Sequence, residues 1–200
     1  MPDEAGETAE NTLPVCFACA FDDLGTPCRN AAGGMDFAKI AAALVRSQRA
    51  YINETVDEAV EAETRWATDC AFEIEEHHPH QVLPLIIAAM DACISVEEAA
   101  YIAAGLLENA VVKHGTQLIG TFEELAQRSN KFRYILSGIW SQGRVDPEVW
   151  ARIGKAVADG GRMSDDGRGP WDGNPVTVLS DEEALEVLKE RVADAAAGMV

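Results

Sequence analysis

The chain has 200 residues, of which 34 are Asp or Glu and 16 are Lys or Arg, for a formal net charge of −18. A field of that sign repels nucleic acid and anionic membrane at long range and attracts basic proteins, so neither nucleic acid nor a membrane surface is an expected direct partner. A hydrophobic content of 48% at this length suffices for one compact core with terminal extensions, and the longest apolar run, Val82 to Met90 with Pro84 inside it, is far short of the roughly 20 residues that cross a bilayer.

Residues 1–34 hold Pro2, Pro14 and Pro27, the Gly33-Gly34 pair and no sustained periodicity, which predicts a poorly ordered or locally structured arm. Met1 to Glu10 are acidic and lack the basic, then apolar, start of a secretory signal, so a cytoplasmic location is expected. In that reducing setting the odd set Cys16, Cys19, Cys28, Cys70 and Cys93 reads as free thiols.

From Asp36 the apolar positions Phe37, Ile40, Ala41, Leu44 and Val45 follow the spacing of a helix with one buried stripe. A second long helix is predicted from Val56, Ala59, Val60, Ala67, Cys70, Ala71 and Ile74, with Trp66 on the same side. Its outer surface carries Glu54, Asp57, Glu58, Glu61, Asp69, Glu73, Glu75 and Glu76, with Arg65 as its only base. Like charges one turn apart weaken a helix, so the packed face must hold it. This acidic face reads either as a solvated surface or as a docking surface for a basic partner.

His77-His78-Pro79-His80 closes that helix, because proline disfavours helical angles in the residue before it. Val82, Leu85, Ile86 and Ala89, with Ile87 and Met90, then predict a helix in the middle of the core. Ser95-Val96-Glu97-Glu98 has the form of a capping box, and Val96, Ala99, Ala100, Ala103, Leu106, Leu107, Ala110 and Val111 trace one face behind it. Gly105 allows a kink or a close helix contact, while Gly115 after His114 reads as a left-handed stop.

Two shorter helices are predicted over residues 116–129 and 131–141, with Trp140 counted as core like Trp150, and Asp146-Pro147-Glu148 starts another. Residues 160–175 hold five Gly and two Pro and read as a linker or surface loop carrying Trp171. Val176 to Leu179 is the only short β-like run, and Ser180-Asp181-Glu182-Glu183 opens a final helix. The result is an all-α fold, one domain of about seven or eight helices, divided as an arm at 1–34, a helical core at 35–159, a loop at 160–180 and a C-terminal helix at 181–200.

Ile102-Ala103-Ala104-Gly105-Leu106-Leu107-Glu108-Asn109, then His114-Gly115, then Phe132-Arg133-Tyr134-Ile135-Leu136 with Ile139-Trp140, and finally Val149-Trp150 resemble an uncharacterised bacterial α-helical domain family. That family shows an Ala-Gly-Pro-Leu-Glu-Asp run, a later His-Gly and a Phe-Arg-x-x-Leu-x-x-Val-Trp segment. The resemblance covers residues 80–155 and departs at Leu106, where the family often has Pro, and at Asn109, where it often has Asp. It implies a helical, HEAT-like stacked arrangement and carries no established activity.

Glu108 is the most suggestive single residue, lying near Gly105; burial would raise its pKa unless Arg133 or His114 paired with it. Glu108 and His114 are six positions apart and do not share a helical face. Glu75, Glu76, His77, His78 and His80 are metal-capable but lack same-face spacing, and Cys16-Phe17-Ala18-Cys19 with Cys28 is one ligand short of a structural zinc site. No Gly-x-Ser-x-Gly, phosphate loop or dinucleotide fingerprint occurs, so no catalytic residue, metal or cofactor is assigned.

The expected function is therefore a non-enzymatic acidic protein that binds a basic protein partner in a neutralising or regulatory role, like an immunity protein or an inhibitor of a nucleic-acid-processing factor. Glu54, Asp57, Glu58, Glu61, Asp69 and Glu73 would steer the partner and Trp171 would anchor it. The alternative is a small hydrolase or metal-dependent enzyme using Glu108, His114 and Arg133. In a third reading the acidic surface merely keeps a scaffold subunit soluble, with a homodimer formed through its apolar helices.

Overall fold

Asp36 opens the first helix, its side chain accepting a hydrogen bond from Lys39 N at 3.0 Å, and the apolar stripe that follows turns Ile40, Ala41 and Val45 into the core. This computed structural model describes residues 27–164, 169–170, 177–197 and 199. In chain order the helices are α1 Phe37–Ile52, α2 Glu58–His77, α3 Pro79–Ala92, α4 Val96–Ile102, α5 Glu108–Arg128, α6 Asn130–Leu136, α7 Pro147–Val157, α8 Asp181–Leu188 and α9 Val192–Ala196. A π turn, Ala103–Leu107, joins α4 to α5 without a break, so the described residues form eight helices in one all-α domain. Their only β pairings are isolated bridges, Arg29 with Met35 and Arg162 with Val178. Among the described residues no helix is long and apolar enough to cross a membrane.

Helix α1 packs against α2, α3 and α4, and α5 packs against α6 and α7. The two C-terminal helices return across the body, α8 against α4 and α6, α9 against α3 and α5. Residues 27–34 of the predicted arm are tied down: Cys28 is buried in the core, and its carbonyl accepts from Asp36 N at 2.8 Å.

The chain differs from its sequence reading where distant residues intervene. Gly115 does not stop a helix; α5 runs through it to Arg128. Gly115 is buried against α7, and a Cβ added there would meet Val149 Cγ1 at 2.9 Å, so the missing side chain serves close helix approach. Trp150 is buried as expected, but Trp140 is exposed, because α6 ends at Leu136 and Trp140 leaves the helical register.

The predicted single C-terminal helix is two, for a similar reason. The carboxylate of Asp91, on α3, accepts from Val192 N at 2.6 Å and Ala193 N at 3.3 Å and so caps α9 from another element. Lys131, fully buried on α6, donates from Nζ to Leu188 O at 2.8 Å and Cys93 O at 3.4 Å, binding carbonyls where α8 and α3 end. Helix C-termini carry partial negative charge, which suits an ammonium without a carboxylate partner.

Gly115→Ala is expected to lower stability by about 1–2 kcal/mol, since the stiff β-branched Val149 must move. Gly120→Ala, on the same helix with nothing within 4 Å of its added Cβ, is expected to raise it by about 0.5–1 kcal/mol. Urea titrations of the two variants compare them directly.

Candidate functional site

The C-terminal half of α1 forms the floor of a groove whose walls are α2 and α4. Two adjoining clefts run along it, an outer one of about 270 Å³ and an inner one of about 190 Å³, and they share Leu44, Gln48 and Thr68. Tyr51, Val56, Glu61 and Tyr101 line the outer cleft, and Phe72, Glu75, Gly105 and Asn109 line the inner one.

Four of the eight exposed large apolar side chains among the described residues line these two clefts: Tyr51 at 71% exposure, Phe72 at 62%, Val56 at 52% and Tyr101 at 48%. Such clustering sets the groove apart from the singly exposed apolar residues that are ordinary on a protein surface. Val56, expected inside, is outside because Asp57 caps α2 by accepting from Val60 N at 2.8 Å, so the helix begins only at Glu58. Upstream, Glu54 takes a positive φ of 54° and Thr55 N bonds Ala50 O at 2.8 Å, a sharp reversal just after Tyr51 at the end of α1.

The predicted acidic residues divide along α2. Glu54, Asp57, Glu58 and Glu61 are exposed at the end of α2 nearest the outer cleft, and Asp69 and Glu73 are half-buried further along. No ion pair within the described residues involves any of these six, so their charge is uncompensated by neighbours. Other acids are paired: Glu63 with Arg46, Glu76 with Lys113, Glu98 with Arg49 and Glu123 with Arg152. Trp171, the expected anchor, lies outside the described residues, as do Cys16 and Cys19.

Glu75, counted on the outer surface from its spacing, is instead buried at 5% exposure, since α5 covers that part of α2. Its Oε2 accepts from Asn109 Nδ2 at 3.1 Å and lies 3.8 Å from Lys113 Nζ, while its backbone carbonyl meets His114 Nε2 at 2.8 Å. Burial raises the Glu75 carboxyl above its ordinary value, against the opposing charge of Lys113 and the Asn109 hydrogen bond.

Glu108, His114 and Arg133 are not joined to one another. Glu108 accepts from Trp140 N at 2.7 Å, Ser141 Oγ, and Arg144 Nη2 at 2.7 Å, which secures the loop between α6 and α7. Arg133 donates to Asn130 Oδ1 on its own helix, and His114 faces α2. Adjacent residues on a helix point about 100° apart, so Glu108, just after the π turn, and its neighbour Asn109 meet different partners. Ser95 caps α4 as expected, but the second half of its capping box is displaced: Glu98 accepts from Ile94 N and pairs with Arg49 at 2.5 Å.

Cys28, Cys70 and Cys93 are buried, and burial pushes the Cys93 thiol up to about 11. Among the described residues no group of three or more His, Cys, Asp or Glu is placed to hold a metal ion. The groove residues Gln48, Tyr51, Phe72 and Tyr101 escaped the sequence reading. The available signal was an aromatic off the buried stripe, which is where Phe72 on α2 and Tyr101 on α4 stand.

These features define an all-α domain with an apolar groove beside unpaired carboxylates. Residues 54–161, more than half of the chain, match the family of unknown function (DUF6869), and the chain belongs to that family. No curated protein and no solved structure matches it.

A carboxyl whose folded pKa is raised adds stability while protonated and loses it as pH rises through that pKa. Glu75→Gln is therefore expected to melt at or above the wild-type temperature at pH 7, with its advantage shrinking as the pH falls through the carboxylate range. Melting curves across that range check the sign. Glu108→Ala is expected to cost about 1–3 kcal/mol in urea unfolding, because it orphans Trp140 N and Ser141 Oγ.

Proposed function

We propose that this protein is an acidic binding module that takes a basic amphipathic segment of a partner protein into the groove between α2 and α4, in a neutralising or regulatory role of the immunity-protein or inhibitor type. The observation that carries the reading is the gathering of Tyr51, Val56, Phe72 and Tyr101 along one groove next to the unpaired Glu54, Asp57, Glu58 and Glu61. Aromatic anchors supply binding energy when a partner desolvates them, and unpaired carboxylates speed encounter with a cation. A second copy of the chain brings the same net charge of −18 and meets repulsion, so charge complementarity favours a basic partner.

A helical peptide with one Leu-rich face and one Lys/Arg face is the probe. Its affinity is expected to fall steeply with salt. Tyr51→Ser with Tyr101→Ser should raise the dissociation constant by about tenfold or more, chiefly through faster release. Replacing Glu54, Glu58 and Glu61 by Gln and Asp57 by Asn, which keeps the α2 cap, should instead slow association by about tenfold. Binding that ignores salt and all six substitutions would overturn the proposal.

A further inference from the structure

Taking the groove reading as its basis, we infer that the inner cleft receives one arginine side chain of the partner, with its guanidinium held between Glu75 and Gln48. The cleft joins an apolar wall to acceptors that the chain leaves unused. Gln48 Oε1 is buried and has no hydrogen-bond partner among the described residues, an arrangement that carries a free-energy penalty until a donor arrives. Gln48 as a residue is only half-buried and lines the cleft, and in the inferred complex its amide turns to present Oε1 to the guanidinium. Glu75 employs Oε2 toward Asn109 and Lys113, and its Oε1 accepts no hydrogen bond among the described residues.

Size and wall chemistry select the occupant. About 190 Å³ suits one long side chain and is below the roughly 300–1,000 Å³ of sites for drug-sized ligands. Leu44, Ala71, Ile102 and Leu106 offer apolar surface for an aliphatic stem.

Two residues of the cleft, Phe72 and Glu75, already face a cation of the chain that is not itself part of the cleft lining. Lys113 Nζ stands 5.5 Å from the centre of the Phe72 ring and 3.8 Å from Glu75 Oε2, although its closer partner is Glu76. A planar guanidinium, with five donors and a face that stacks on aromatic rings, satisfies Glu75, Gln48 and Phe72 together in a way that a compact ammonium does not.

The test is an NMR titration of the full chain with N-acetyl-arginine amide, N-acetyl-lysine amide and N-acetyl-citrulline amide, the last having arginine's shape without its charge. For the arginine probe, saturable shifts centred on Gln48, Glu75 and Asn109 are expected, with a dissociation constant on the order of 1–10 mM. Citrulline and lysine should bind about tenfold more weakly, and Gln48→Leu and Glu75→Gln should each weaken arginine by about tenfold. No saturable shift at these residues, or equal binding of arginine and citrulline, or of arginine and lysine, overturns the assignment. The wild-type comparison needs no variant, so it stands whether or not a substitution folds. An amphipathic basic peptide that binds with Tyr51 and Tyr101 dependence but is indifferent to Gln48→Leu and Glu75→Gln retires the arginine pocket alone. If neither the peptide nor the arginine probe binds, the groove fails with it.

Discussion

The contact of Gly115 with Val149 is the constraint on which the middle of the molecule rests. Because α5 has no side chain at that point, α7 lies against it closely enough for Val149, Trp150, Ile153 and Val157 to enter the core. The same uninterrupted rod runs back through the π turn to α4. It carries Glu108 to the loop before α7, Asn109 to Glu75, and Tyr101 to the groove. A break at Gly115 would part these positions from the rest of α5, where Ile119, Phe122, Leu125 and Ala126 are buried. Continuity of the rod therefore organises both the core and the surface.

Charge is distributed unevenly over this frame. Where acids meet bases they do so across elements: Arg46 of α1 with Glu63 of α2, Arg49 of α1 with Glu98 of α4, Lys113 of α5 with Glu76 of α2, and Arg152 of α7 with Glu123 of α5. An exposed pair such as Arg46 with Glu63 is typically worth below about 1 kcal/mol and registers helices more than it stabilises them, whereas the Glu98 carboxylate is buried against Arg49. Of the unpaired carboxylates at the start of α2, Asp57 caps the helix, while Glu54, Glu58 and Glu61 are exposed and make no ion pair among the described residues. Their position beside Tyr51 and Val56 places steering charge next to apolar anchors, so that encounter and retention would use one surface.

Local encoding explains what was readable beforehand. Ser95, Asp146 and Ser180 cap the helices that follow them, and each does so through a bond spanning two or three residues. The apolar stripes of α1, α2 and α3 likewise place Ile40, Ala67, Cys70, Ile74, Val82 and Leu85 inside without reference to the rest of the chain. By contrast, Gly115 has the local look of a helix stop, and only Val149, 34 positions later, gives it another use. Trp140 has core spacing, but a helix that ends at Leu136 leaves it exposed.

The sequence by itself determined the all-α class, the capped helix starts at Ser95, Asp146 and Ser180, most of the inward stripes and the excess of acid, because each depends on residues within about one turn of one another or on composition alone. Only the tertiary structure decided which carboxylates are buried, which are paired and where the apolar groove opens. Glu75 meets Asn109 across 34 positions, Glu108 meets Trp140 across 32, and Asp91 caps Val192 across 101. No periodicity spans such separations. The final partners of these groups follow from how helices with similar apolar faces sort against one another, and that is settled by packing of the whole chain at once.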